Sequence, residues 1–312
     1  MNRRTFLGTS AAAVAALAAG RSHAAPAEPK FTMCLNVGQA GVKADPLEAI
    51  DLAKRYGYGS VAPMPWHLAK YPAEKMDRLK AAMKEAGLAW GAAGTRPFFT
   101  PDDAEFANRL KDATGLAGVL QKAGVTRCMT WTGPSSDTLT YRRNFDLHVR
   151  RTKEMGKVFG DHGVRLGIEY LGTKTLVLKK KYPFVQTLAG MKELADAVGL
   201  PNVGIVLDAW HWFQAGDTEE DIARLANRDV VTADLCDAPA GVPRHEMPDS
   251  PRRLPCATGV INLKGFLAGL VRIGYDGPVG MEPFDKSLRE MPTEKAMQTA
   301  TAAMKKAFAL IR

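Results

Sequence analysis

The sequence predicts a single closed α/β barrel of the (β/α)8 (TIM) type, with eight parallel strands inside a ring of helices. Three observations lead there. Eight short apolar segments alternate with longer amphipathic ones, the pattern of a parallel sheet under outer helices. Glycines fall just behind the amphipathic segments, where a left-handed helix cap suits them. No glycine-rich phosphate loop follows an early strand, so the open doubly wound sheet lacks its usual mark.

Taken in order, strands are expected at 31–37, 59–63, 88–93, 126–131, 164–169, 203–208, 230–235 and 278–282. The helices between and after them are expected at 46–56, 73–86, 103–123, 142–162, 184–198, 219–226, 263–273 and 293–311. The second helix shows the period plainly: Met76, Leu79, Met83 and Leu88 recur at helical spacing with Lys and Glu between them. Gly87, Gly124, Gly163, Gly199 and Gly274 are the expected caps. With 312 residues, 46% of them hydrophobic and 24% charged, the chain has apolar material for one large core, and a barrel of about 250 residues fits inside it.

Residues 1–24 read as an export leader and 25–312 as the barrel. Arg3-Arg4 precede Phe6-Leu7, a mild Ala-rich stretch follows, and Ser22-His23-Ala24 has the small-x-small form of a cleavage site. The apolar part is too short to span a bilayer, which takes about 20 residues. It resembles a twin-arginine signal, which implies a periplasmic or otherwise exported protein with no stable membrane insertion after signal removal. The formal charge of +9 includes Arg3, Arg4 and Arg21 of this segment, leaving +6 for the rest. Lys179-Lys180-Lys181 is the densest basic run there and reads as a solvated loop, so no nucleic-acid partner is expected. The four cysteines match no zinc spacing, and three of them sit in apolar strand-like runs where cysteine behaves as a small hydrophobe; no disulfide is expected.

The chemistry is expected at the C-terminal ends of the strands, the working face of such barrels. Strand five ends in Glu169, strand six in Asp208 and strand eight in Glu282, while strand seven runs through Asp234 to Asp237. One acid at a strand end is ordinarily a helix cap or turn residue. Four on consecutive strands, each after an apolar run, are hard to explain as caps. Converging carboxylates repel one another, and a divalent cation is their natural compensator.

These pieces resemble the sugar phosphate isomerase/epimerase group with xylose isomerase-like barrels, whose members include ketose 3-epimerases, inosose dehydratases and endonuclease IV. The resemblance runs from about residue 31 to the C-terminus and rests on Gly-Ile-Glu169-Tyr, Leu-Asp208-Ala-Trp-His211-Trp, Asp237-Ala-Pro, Arg253-Leu-Pro, Thr-Gly259-Val-Ile and Gly274-Tyr-Asp-Gly-Pro-Val-Gly-Met-Glu282-Pro-Phe. It implies a metal set of Glu, Asp, His and Glu. Glu169, Asp208 and Glu282 match, and Asp234 stands where the histidine is expected. Oxygen-only ligation favours Mn2+ or Mg2+, with Co2+ or Zn2+ less suited.

His211 matches the group's substrate-holding histidine. Trp210 and Trp212 are placed either to stack on a sugar or to pack in the core. Arg253, with Arg252 beside it as a substitute, is expected to reach a substrate oxygen, and Trp66 to line the mouth. The implied reaction is proton transfer through an enediolate on a non-phosphorylated sugar or polyol, with Glu169 and Glu282 as the acid–base pair. Epimerisation or isomerisation is the leading outcome. Elimination or hydrolysis of a 3-keto-glycoside, or dehydration, is the alternative, and a non-catalytic sugar-binding barrel is the third. A homo-oligomer is compatible with all three. Endonuclease chemistry would need three metals and many histidines, and only five histidines lie beyond the leader.

Overall fold

The computed structural model describes residues 28–312, so the leader, its arginine pair and its cleavage site lie outside the described residues. No described helix is long and apolar enough to cross a membrane.

The strands are β1 (Thr32–Leu35), β2 (Ser60–Val61), β3 (Ala89–Trp90), β4 (Ala93–Gly94), β5 (Arg127–Trp131), β6 (Ser135–Ser136), β7 (Arg165–Glu169), β8 (Tyr182–Pro183), β9 (Val203–Asp208), β10 (Val230–Leu235) and β11 (Pro278–Met281). Nine of them form one parallel sheet in the order β3-β2-β1-β11-β10-β9-β7-β5-β4. Its two ends, β3 and β4, are halves of the expected third strand, separated only by Gly91 and Ala92. The sheet therefore closes on itself through that strand, giving the eight-stranded barrel. Gly91 sits where a Cβ would come within 2.6 Å of the Cys34 sulfur, so this seam admits no side chain. A short antiparallel pair, β6 with β8, lies outside the barrel.

Three helices, Pro46–Tyr56, Ala73–Ala86 and Asp103–Ala123, have the expected limits, and all five expected cap glycines hold positive φ. The fifth helix begins at Leu188 rather than near 184, because Thr187 accepts the Gly190 amide as its cap and Tyr182–Pro183 is spent on β8. The helix Glu219–Ala223 is shorter than expected. Four short helices that periodicity could not reveal, Pro65–Leu68, Lys174–Val177, Ala209–Ala215 and Lys286–Glu290, decorate the loops after strands. At the N-terminal end of the barrel the Arg127 guanidinium donates to the Val231 carbonyl at 2.9 Å and Tyr275 donates to the Pro278 carbonyl at 2.9 Å.

Candidate metal and active centre

Side chains on paired residues of neighbouring parallel strands leave the sheet on the same face. Asp208 pairs with Asp234, and Asp234 with Gly280, so both aspartates point into the barrel. Glu169 closes β7, and Glu282, one residue beyond β11, donates its amide to the Leu235 carbonyl at 2.9 Å. From this scaffold Glu169, Asp208 and Glu282 converge, each offering one oxygen such that all three lie within 4.8 Å of one another. Asp234 is not in that group. Its carboxylate leans toward β11, where a Cβ on residue 280 would come within 2.5 Å of Oδ1. Gly280 makes the room for it.

Asp208 is both cap and site residue. Its Oδ1 accepts the amides of Trp210 (2.6 Å) and His211 (3.3 Å) at the start of the helix Ala209–Ala215, and Oδ2 accepts Arg252 Nη1 at 3.0 Å. The same Nη1 donates to Glu282 Oε2 at 2.9 Å, while Gln39 Nε2 donates to Glu282 Oε1 at 3.3 Å. Glu169 is 7% exposed, and among the described residues nothing donates a hydrogen bond to its carboxylate. A buried charge left in that state is costly. Burial, then the charges of Asp208 and Glu282, push Glu169 well above the usual carboxylate range. Burial raises Asp208 against the pull of Arg252, takes Asp234 to about 7 with help from Asp208, and takes Glu282 to about 8. Burial opposes the charge on Arg252, but Asp208 and Glu282 outweigh it and hold the guanidinium protonated. A convergent, carboxylate-rich cup with one acid unpartnered is the donor set a hard divalent cation fits.

The arginine of the site is Arg252. Arg253, the residue expected there, is exposed and turns its guanidinium back to the Arg252 carbonyl at 3.2 Å. The backbone explains the choice. Arg253 pairs with Asp237 through two reciprocal 2.8 Å hydrogen bonds, which fix its side chain away from the barrel and its neighbour toward it. Asp237 is itself a fastening: its buried carboxylate accepts the amides of Ala238, Thr258, Gly259 and Ile261 at 2.7–3.0 Å. On the far side, Phe284 holds a left-handed backbone (φ 46°) and places its ring 4.5 Å from the Arg252 guanidinium carbon.

His211 is 1% exposed, and burial followed by Arg252 depresses its pKa well below the usual histidine value, so the ring is neutral. The Gly172 amide lies 3.2 Å from Nδ1 and Arg252 Nη2 lies 3.3 Å from Nε2; both groups are donors, and a neutral imidazole accepts from only one of them. Trp210, expected either to stack on a sugar or to pack in the core, is fully buried and donates to Thr173 at 2.9 Å. Trp212 packs edge-on against Phe266 in the core. Trp66 is at the mouth and exposed. Gln39 and Asp249 join the site without having been expected. Asp249 accepts from Thr173 at 2.9 Å and from Arg252 at 3.3 Å. Trp131 pairs in register with Glu169.

Residues 50–307 match the model of the xylose isomerase-like TIM barrel family. An inosose isomerase of Halalkalibacterium halodurans is 28% identical over 150 residues, 47% of this chain and 49% of that protein, so the chain spans about half the length of the curated relatives it matches. A xylose isomerase domain protein from Alicyclobacillus acidocaldarius superposes with a TM-score of 0.75 at 29% identity, covering 90% of this chain and 99% of the other. The IOLI protein, solved with a binding zinc atom, superposes with a TM-score of 0.76 at 18% identity over 89% and 98% of the two chains. With the barrel closed, its carboxylates gathered at one end and the family model covering most of its length, this chain belongs to the xylose isomerase-like TIM barrel family.

Proposed function

We propose that the protein is a divalent-metal-dependent isomerase or epimerase that moves a proton at a carbon between two oxygens of a non-phosphorylated sugar or polyol. The observation that carries this reading is the convergent trio Glu169, Asp208 and Glu282, with no hydrogen bond donated to Glu169 and both glutamates raised by burial. Glu169, Asp208 and Glu282 would hold the cation, with Asp234 as a fourth acid nearby. All-oxygen donors favour Mn2+ or Mg2+. A bound cation supplies Lewis-acid polarisation of the substrate oxygens.

The chain's own residues do the rest. Glu169 and Glu282 stand on strands separated by β9 and β10, so they approach a bound sugar from different sides. One removes the proton to give the enediolate and the other returns it, and burial raises the basicity of both. Arg252 holds Asp208, Glu282 and Asp249 in position, and the neutral His211 ring lies beside it. The inosose isomerase relative supports a polyol-like substrate. Action after twin-arginine export is part of the proposal, motivated by Arg3-Arg4. Replacing both by Lys should hold the precursor in the cytoplasm.

The test is incubation of metal-loaded protein with a panel of free sugars, inositols and their keto forms in deuterium oxide. Deuterium incorporation with an epimer or isomer as product supports the reading. Loss of a β-substituent would make the protein a lyase on the same enolate. Sugar binding with no exchange and no product would make it a binding barrel.

A further inference from the structure

Of the five tryptophans, only Trp66 and Trp131 are exposed, at 70% and 43%, and both line one groove. None of the centre's carboxylates lines that groove, which also takes in Leu116, Val119, Met155 and Phe159 from the outer helices. Trp131 ends β5 in register with Glu169, and the Thr132 amide donates to the Glu169 carbonyl at 3.0 Å, so the indole leaves the sheet on the same face as the acid and one strand spacing, about 5 Å, away. Trp66 sits in the helix Pro65–Leu68 after β2, and Arg96 and Pro97 follow β4. All of these come from the same end of the barrel as the carboxylates.

We infer that this groove takes a second ring covalently joined to the sugar held at the carboxylates, so that the protein's ligands are glycosides rather than free monosaccharides. The inference rests on the proposal that a sugar occupies the carboxylate centre. Two large aromatic faces left in water are matched by a flat ring whose C–H face stacks on them. The exposed Arg96 guanidinium beside them supplies donors for ring hydroxyls. A protein partner is the poorer occupant. The groove is edged by Arg96, Glu105, Arg109 and Lys111, whereas the centre of a protein interface is depleted of charge.

The test is a titration of tryptophan fluorescence in the intact metal-loaded protein with glucose, cellobiose, maltose and phenyl β-glucoside. At least one two-ring ligand should bind tenfold or more tightly than glucose. Trp66→Ala and Trp131→Ala should each remove most of that difference while changing glucose affinity less than twofold, and Trp131→Phe should keep it. Phenyl β-glucoside binding without either disaccharide would assign the groove to an aromatic second ring, still within the inference. Equal affinity for one- and two-ring ligands would overturn it and leave the proposed function standing. So would a dimer that Trp66→Ala dissociates with glycoside affinity unchanged. If no sugar of either kind binds, the proposed function fails first and this inference with it.

Discussion

Arg252 Nη1 lies 3.0 Å from Asp208 Oδ2 and 2.9 Å from Glu282 Oε2, so one buried guanidinium nitrogen joins two of the three carboxylates of the centre. The cup thus holds a permanent positive charge at its edge. It limits the repulsion among the acids while making no hydrogen bond to Glu169.

Removing that charge is expected to be costly. Arg252→Ala should lose about 3–5 kcal/mol of stability in the metal-free protein, because two buried acids are left facing each other. Arg252→Lys should recover part of it. Arg253→Ala, acting on an exposed side chain, should change melting temperature and turnover little. Thermal melts of the three variants check this, and equal effects at 252 and 253 would reverse the assignment.

Glu169→Gln and Glu282→Gln are each expected to lower turnover by about 100- to 10,000-fold while retaining some metal. Glu169→Gln should also make the melting temperature of metal-free protein fall less as pH rises, since the amide cannot ionise. Full activity in both variants would move proton transfer elsewhere, with His211 the first candidate.

In metal-free protein the folded-state pKa of Asp234 is about 7 and that of Glu282 about 8, both above their unfolded values. Their stabilising effect is complete at acid pH and is lost as pH rises through those values. His148, depressed to about 4 by burial, and His211 act in the opposite direction, but only below the unfolded histidine value near 6.5. The clean window is therefore pH 6.5–8. Chelated protein should lose roughly 5 °C or more of melting temperature across it. Added Mn2+ or Mg2+ should restore stability most at the upper end. A flat profile without metal would contradict the raised carboxylates.

Gly280 and Asp234 should behave as a coupled pair. Gly280→Ala puts a methyl against Asp234 Oδ1 and should cost about 1–3 kcal/mol. In an Asp234→Ala background the same change should cost less than half as much, and a double-mutant cycle by chemical denaturation measures the difference. Additive effects would place the Asp234 carboxylate elsewhere.

Much of this was readable in the sequence because strands buried on both faces are apolar runs, and an acid at the end of such a run stands out. Glu169, Asp208 and Glu282 were visible for that reason, and the third strand was visible even though it is broken at Gly91. Arg252 was not separable from Arg253, because which of two adjacent loop residues points inward depends on the Asp237 bridge, a contact across sixteen positions that no local pattern encodes. Trp131 had a faint signal, as the terminal residue of an expected strand. Gln39 had none, since its partner Glu282 lies at the other end of the chain. Between the two roles open to Trp210, the core role follows from the helix capped by Asp208, which turns that indole inward.

The Asp237 fastening also has a consequence for how the protein can change. Three amides and a reciprocal backbone pair tie residues 237–238 to 253–261, so the thirteen residues 239–251 form an excursion that leaves and returns at one fixed point. Its early part, through Arg244 and His245, is exposed, and only its last residues reach the site. Loop length and composition near 240–246 can therefore be exchanged without moving Arg252, which makes this stretch the place to graft new recognition while the carboxylate centre is left as it is.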